Sequence, residues 1–150
     1  PWLDGSSEAE AAAGMARASD DLNAFLDQRL ADEGLSPARL ILFGFSQGTM
    51  MSLHVAPRRP EAIAGIVAFS GRLLNPDALA AETLSRPPVL LLHGDADPMV
   101  PFAEMNLAGR ALGDAGFEVY GHVMKGTGHG IAPDGLSVAL AFIRDRLGKS

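Results

Sequence analysis

A chain of 150 residues, 47% of them hydrophobic and 20% charged, is long enough to fold as one domain around a sizeable core. The net charge of −6 and the lack of a basic cluster argue against a nucleic-acid partner, and no apolar stretch approaches the roughly 20 residues that a membrane span needs. Because the chain has no cysteine, disulfides, thiolate metal sites and cysteine nucleophiles are excluded. We therefore expect a single domain over residues 1–150.

The first predicted element is a long packing helix. Ser7 and Glu10 have the spacing of a capping box at its start, and Gly34 marks its end. The apolar side chains at helical spacing, which should face a core, are Leu22, Phe25, Leu26 and Leu30. A turn at Ser36 and Pro37 then leads into the sheet.

The next predicted elements are a strand and a helix joined at a serine. Leu40 to Phe43 form a continuous apolar run, which is typical of a strand buried on both faces in a parallel sheet. Gln47 to Ala56 read as a helix. Between them lies Ser46, with Gly44 two residues before it and Gly48 two residues after it. This is the G-x-S-x-G pattern of a nucleophile elbow, a sharp turn that leaves no room for a side chain beside the serine.

The elbow suggests a chemical role for Ser46. A turn between a buried strand and a helix lifts the serine hydroxyl above the sheet, where a substrate can reach it. The backbone N–H of Gln47 then lies at the helix N-terminus, where an oxyanion would form. Ser46 is therefore the candidate nucleophile and Gln47 the candidate oxyanion donor. The alternative is an ordinary serine in a glycine-rich turn.

Strands and helices alternate through the rest of the chain, which indicates right-handed crossovers and a mostly parallel sheet flanked by helices. The remaining predicted elements are a buried strand at Ile63–Phe69, a short helix around Asp77–Thr83, a strand at Val89–Leu92, a helix starting at Pro101, a half-exposed edge strand at Phe117–Met124 and a final helix with Leu136, Ala139, Leu140, Ile143 and Leu147 on one face. Active sites in such sheets lie at the carboxyl ends of the strands.

Residues suited to activating a serine follow two of the later strands. A serine hydroxyl needs a base in contact, and that imidazole needs a carboxylate to fix its tautomer. The acid is either Asp95 or Asp97, both after the third strand, and Asp97 is preferred because it lies deeper in the turn. The order Ser, Asp, His along the chain is that of the α/β-hydrolases.

Four histidines compete for the role of base. His54 belongs to the elbow helix and His122 to a strand, and His93 ends a strand beside a glycine, so we expect all three to be structural. His129 lies in a glycine-rich loop after the last strand and is the candidate base. No His, Asp or Glu cluster has convincing metal spacing and no phosphate-binding loop is recognisable, so neither a metal nor a cofactor is expected.

Three motifs carry a resemblance to a known family. They are the elbow Gly44-Phe45-Ser46-Gln47-Gly48, the acid motif His93-Gly94-Asp95-Ala96-Asp97-Pro98-Met99-Val100-Pro101 and the base motif Gly128-His129. With them the sequence resembles, over nearly its whole length, the bacterial phospholipase/carboxylesterase family, which includes the acyl-protein thioesterases. The resemblance implies an α/β-hydrolase fold and hydrolysis of carboxylic esters through an acyl-enzyme, without a cofactor. It also implies Ser46 as nucleophile, Asp97 as acid, His129 as base and the Gln47 N–H as an oxyanion donor.

The sequence departs from the family pattern at its start. Members of the family look like chains of roughly 200 residues or more, with strands before a segment similar to Trp2-Leu3-Asp4. Since the chain opens at Pro1 without an initiator methionine or a visible leader, we expect a trimmed chain, a cytoplasmic location and a sheet that lacks its N-terminal part. Leu40 to Phe43 would then form an apolar edge, which should pair with the missing N-terminal fragment or with a second copy.

Three functions remain open on this reading. The first is a serine carboxylesterase acting on small or medium acyl esters or thioesters, with Leu73, Leu74, Met99 and Val100 as an acyl-side wall. The second is a catalytically silent fragment that acts only through association. The third is a peptidase of the same fold, which differs from the esterase in its substrate.

Overall fold

The computed structural model describes residues 8–148, and the chain divides into two compact units, residues 1–35 and 36–150. The first unit contains helix α1, Glu8–Glu33, which ends where Gly34 adopts a left-handed conformation with φ 65°. The predicted helix and its end are therefore confirmed, whereas Ser7 of the predicted capping box and residues 1–4 lie outside the described part. The predicted apolar face is wrong at Phe25, which is 59% exposed, although Leu26 is buried. A single domain over residues 1–150 stays a prediction.

The second unit alternates strands with helices, as the sequence predicts. Its elements are β1 (Ile41–Phe45), α2 (Gln47–Val55), β2 (Gly65–Phe69), α3 (Pro76–Glu82), β3 (Val89–Gly94), α4 (Ala103–Asp114), β4 (Val119–Met124) and α5 (Pro133–Gly148). Helix α4 begins two residues later than predicted, because Pro101 lies in the preceding turn, where its carbonyl accepts a hydrogen bond from the Glu104 N–H at 2.9 Å.

The four described strands form one parallel sheet in the order β1-β2-β3-β4. Strands β2 and β3 are buried along their whole length. Strand β4 is an outer strand, as its alternating pattern predicts. Strand β1 is the other outer strand of the described sheet, as the apolar edge expected at Leu40 to Phe43 predicts. The predicted burial of both its faces is wrong, because Phe43 is 47% exposed.

The core has a layer on each face of the sheet, because successive side chains of a strand point to opposite faces. On one face, Ile66 and Leu91 pack in a cluster with Leu112 of α4. On the other face, Val67 and Leu92 pack with Phe142 of α5. Burying each such side chain contributes about 1.5–3 kcal/mol, so the two layers hold the strands firmly between the helices.

The carboxyl ends of these parallel strands all lie at the same end of the sheet. The elbow after β1, the turn after β3 and the glycine-rich loop after β4 therefore lie next to one another at that end. These three connections carry the candidate nucleophile, acid and base.

Candidate active site

Ser46 occupies a strained turn between β1 and α2. Its φ of 56° and ψ of −115° are unfavourable for a residue with a side chain, and such strain persists only where the surroundings fix it. Two backbone hydrogen bonds do so here: the Ser46 N–H donates to the carbonyl of Phe69 at 2.9 Å, and the Ser46 carbonyl accepts from the Met50 N–H at 3.1 Å. The turn has the strand-to-helix form of a nucleophile elbow.

Close packing around the elbow depends on two glycines, only one of which belongs to the G-x-S-x-G pattern. A Cβ atom at Gly44 would lie 2.6 Å from the backbone nitrogen of Thr49, as predicted. The same prediction is wrong at Gly48, where a Cβ atom would meet open space. The missed residue is Gly71, whose Cβ would lie 2.8 Å from the Ser46 carbonyl oxygen. The Ser-Gly pair closing the second predicted strand was the available signal for it.

The structure brings Ser46, His129 and Asp97 into one hydrogen-bonded chain. The Nε2 atom of His129 lies 3.0 Å from Ser46 Oγ, and its Nδ1 atom lies 2.7 Å from Asp97 Oδ2. Because an ionised carboxylate can only accept, Nδ1 carries the imidazole proton and Nε2 accepts from the serine hydroxyl. The imidazole is therefore oriented to take the serine proton.

Asp97 is a buried carboxylate held by several donors. Its Oδ1 atom accepts hydrogen bonds from the N–H groups of Met99, at 2.8 Å, and Val100, at 2.9 Å. Burial on its own would raise the pKa of Asp97, but the hydrogen bonds from His129 and these two N–H groups outweigh it and hold the pKa below its usual value. Asp97 is therefore ionised at neutral pH.

The structure also separates the two aspartates that the sequence left as alternatives. Asp97 contacts His129, whereas the Oδ1 atom of Asp95 accepts a hydrogen bond from the backbone N–H of Gly126 at 2.7 Å. Asp95 thus reaches across to the loop that carries His129.

The other three histidines have other nearest partners. His93 is buried near the end of β3, where its Nε2 atom donates to the carbonyl of Val100 at 2.9 Å and lies 3.5 Å from Asp97 Oδ2. His122 contacts Asp134 across 2.6 Å between β4 and α5. Partial burial, together with the nearby guanidinium of Arg58, lowers the pKa of His54. These positions agree with the structural roles expected from the sequence.

The backbone N–H of Gln47 lies at the N-terminus of α2. As the first residue of this helix, it has no helical acceptor for its N–H, and the helix dipole adds positive partial charge there. The position after the nucleophile is the one that provides an oxyanion donor in a nucleophile elbow.

The four side chains predicted to form an acyl wall differ in their accessibility. Leu73 belongs to the core cluster and Val100 has no exposed surface, so neither presents its side chain to a substrate in this structure. Leu74 is partly exposed, and Met99 is 51% exposed. Two further apolar residues lie on the rim, the end of the sheet that carries Ser46 and His129. They are Phe45, whose ring centroid is 4.9 Å from that of His129, and the exposed Ile131.

Metal sites, membrane spans and cavities were also sought in the part of the chain that the structure describes. Within residues 8–148, no three His, Asp or Glu side chains group closely enough to hold a metal ion. No helix in this range is both long and apolar enough to pass through a membrane. A cavity of about 520 Å³ lies between α4 and β4, but none of Ser46, Asp97 and His129 lines it.

Comparison with known proteins identifies similar chains. The sequence matches the Phospholipase/Carboxylesterase family over residues 2–147. Acyl-protein thioesterase 1 of Gibberella zeae is 33% identical over 127 residues, which cover 81% of this chain and 54% of the thioesterase. This chain thus spans about half the length of that relative.

Two crystal structures resemble the fold closely. Esterase PE8 is 47% identical with a TM-score of 0.87, over 90% of this chain and 63% of that one. SOBER1 of Arabidopsis thaliana is 27% identical with a TM-score of 0.82, over 89% of this chain and 64% of that one. The fold is that of an α/β-hydrolase, to which the described residues contribute a four-stranded parallel sheet with flanking helices. The chain belongs to the phospholipase/carboxylesterase family.

Proposed function

We propose that this chain is a serine carboxylesterase, with Ser46 as nucleophile, His129 as base and Asp97 as acid. The observation that carries the proposal is the continuous hydrogen-bonded chain from Ser46 Oγ through the imidazole of His129 to Asp97 Oδ2, with distances of 3.0 and 2.7 Å. The names of its relatives support it, since one is an acyl-protein thioesterase and another an esterase. A cytoplasmic location stays a prediction.

The proposed reaction proceeds through an acyl-enzyme. Ser46 Oγ attacks the ester carbonyl carbon while His129 Nε2 takes the serine proton, and the carbonyl electrons move onto oxygen. Asp97 stabilises the imidazolium, and the Gln47 N–H donates to the oxyanion. Collapse breaks the bond to the leaving oxygen, which receives the proton from His129 as the alcohol departs. Water then repeats the sequence at the acyl carbon, releasing the acid and free Ser46.

The surroundings of Ser46 favour an uncharged acyl group of small or medium size. Leu74, Met99, Phe45 and Ile131 offer apolar surface on the rim that carries the nucleophile and base. A thioester presents the same carbonyl and a better leaving group, so the same residues would serve thioester hydrolysis. We expect esters and thioesters to be turned over faster than amides, which separates the proposal from a peptidase.

A second oxyanion donor and a strand partner are part of the proposal. In the described residues, Gln47 offers one donor N–H, and loss of one such donor costs about 10²–10³-fold in rate. Strand β1 pairs only with β2 among the described strands. Because the chain spans about half of the Gibberella zeae thioesterase that it matches, we infer that β1 pairs with an N-terminal segment or with a second copy, which brings the second donor.

Covalent labelling tests the proposal without depending on efficient turnover. A serine-directed alkyl phosphonate should label the wild type and the Ser52→Ala control, which removes a serine hydroxyl within α2, but not Ser46→Ala. Turnover of a short-chain aryl ester should follow the same order. A folded wild type that is neither labelled nor active would instead favour the second candidate function, a silent fragment acting through the open edge of β1.

A further inference from the structure

We propose that Asp95 is a positioning residue. It joins the acid turn to the base loop and so holds His129 within hydrogen-bond distance of both Ser46 and Asp97. Here the acid turn is residues 94–101 and the base loop is residues 125–132. The inference rests on the proposed function, because the geometry that it maintains is that of Ser46, His129 and Asp97.

Besides the bond between His129 and Asp97, three hydrogen bonds connect the acid turn with the end of β4 and the base loop. The Asp95 carboxylate accepts from the Gly126 N–H at 2.7 Å, and the next residue, Ala96, donates its N–H to the Thr127 carbonyl at 3.0 Å. The Asp95 N–H approaches the Met124 carbonyl at 3.4 Å. Of these three bonds, the one from Gly126 is the only one made by a side chain, and a charged acceptor makes it stronger than a bond between neutral groups.

The base loop needs such a restraint because of its composition. Gly126, with φ 70°, Gly128 and Gly130 give it more backbone freedom than any other residue type would. The loop also passes directly over Gly94, where a Cβ atom would collide with the carbonyl oxygens of Thr127 and Gly128. The Asp95 bond fixes the loop three residues before His129.

The acid turn itself does not require the Asp95 side chain. The Asp97 N–H donates to the Gly94 carbonyl at 3.3 Å, and the Asp97 carboxylate accepts from the N–H groups of Met99 and Val100. Removing the Asp95 carboxylate should therefore leave Asp97 in place and loosen the loop around Gly126. His129 must satisfy two hydrogen bonds in opposite directions, and a misplacement of about 1 Å costs roughly 10²-fold in rate.

The test compares Asp95→Ala with Asp95→Asn, which keeps an oxygen that can accept from Gly126. The matched control is Asp114→Ala, an exposed aspartate at the end of α4. We expect Asp95→Ala to lower both kcat on a short-chain aryl ester and the rate of phosphonate labelling by about 10–100-fold, with little change in KM. Asp95→Asn should restore most of the rate, and Asp114→Ala should match the wild type.

A spectroscopic measurement separates this inference from the proposed function. The His129 Nδ1 proton that bonds to Asp97 should give a downfield proton resonance in the wild type that broadens or disappears in Asp95→Ala and returns in Asp95→Asn. If the wild type shows the resonance but is not labelled by phosphonate, the proposed function fails while the positioning role is still tested.

Two results would overturn the inference. One is an Asp95→Ala variant that keeps the wild-type labelling rate and the wild-type resonance. The other is an equal loss of labelling rate in Asp95→Ala and Asp95→Asn, which would indicate that the charge of Asp95 matters and the hydrogen bond from Gly126 does not. If Asp95→Ala does not fold, Asp95→Glu keeps the charge but moves the carboxylate by one methylene. A wild-type labelling rate in that folded variant would also overturn the proposal.

Discussion

Asp97 combines two properties that usually oppose each other, because it is buried and yet ionised. Burial disfavours its charge, and the donors around it more than compensate. An asparagine at position 97 could still accept hydrogen bonds from the N–H groups of Met99 and Val100. The hydrogen bond from His129 is therefore the one that this substitution would disturb most. The residue therefore contributes both to the proposed chemistry and to stability.

We expect Asp97→Asn to lower kcat by about 10⁴-fold, because the amide favours the wrong tautomer of His129. We also expect it to be less stable than the wild type above pH 3.8, the ordinary pKa of the carboxyl. Because the folded-state pKa is lowered, the stabilisation from Asp97 is complete above that value and is lost as pH falls through the folded-state pKa. Urea unfolding of both proteins from pH 7 to acid pH measures it, and a stability difference that does not narrow below pH 3.8 would contradict the prediction.

The proposed catalytic residues could be predicted from the sequence because each one follows a recognisable strand. Ser46 has glycines at fixed offsets, and His129 and Asp97 lie in short post-strand segments. The contact between Asp95 and Gly126, 31 positions apart, could not be predicted, because it belongs to no recognisable motif. No local pattern distinguishes a carboxylate that closes its own turn from one that reaches a neighbouring loop.

At the scale of elements, the elbow shows how a strand and a helix constrain each other. Strand β1 and helix α2 approach so closely that the backbone at Gly44 faces Thr49. Gly48 is in α2 and has free space around it, so its presence does not follow from packing. Sequence spacing identified the elbow correctly, but only the structure separates a glycine that packing requires from one that it does not.

These two glycines provide a matched pair for a test of stability. Gly44→Ala should lower the free energy of unfolding by about 1–3 kcal/mol, because its methyl group would overlap with backbone atoms that cannot easily move. Gly48→Ala should leave it unchanged or raise it by up to about 1 kcal/mol, since alanine reduces the freedom of the unfolded chain. Chemical denaturation of both variants measures the difference, and equal effects would show that the close approach at Gly44 is not limiting.

The positions of the strands along the chain could also be predicted, but the exposure of side chains in β1 could not. Its run of apolar residues has the composition of a central strand, which is why burial on both faces was expected. Burial, however, depends on the neighbours that a strand finds in space. In the described sheet, β1 has a neighbour on one side only, so a strand with the composition of a central strand is an outer strand.

At the scale of the whole molecule, the outer position of the apolar strand β1 has a consequence for association. An outer strand with an exposed phenylalanine and unpaired backbone groups is a template for another strand. We expect the 150-residue chain to self-associate with increasing concentration, and Phe43→Lys to weaken the association by placing a charge on the edge. The matched control is Val123→Lys, a similar change on the exposed outer strand β4.

Sedimentation velocity and amide hydrogen exchange together measure this association. Amides of residues 41–45 that do not pair with β2 should exchange quickly in dilute solution and become protected as the chain associates. A wild type that stays monomeric at every concentration, with all of its β1 amides protected, would contradict the prediction. Equal effects of Phe43→Lys and Val123→Lys would place the contact elsewhere than at β1.

The hydrogen bond between Ser46 and His129 spans 83 positions of the chain. Contacts of such high order form late, because the loop entropy between their ends must be overcome before they contribute. During synthesis the proposed nucleophile emerges before the proposed base, which follows β4, the last described strand. Under the proposed mechanism, Ser46 therefore becomes reactive only after the segment that carries His129 has packed against the sheet.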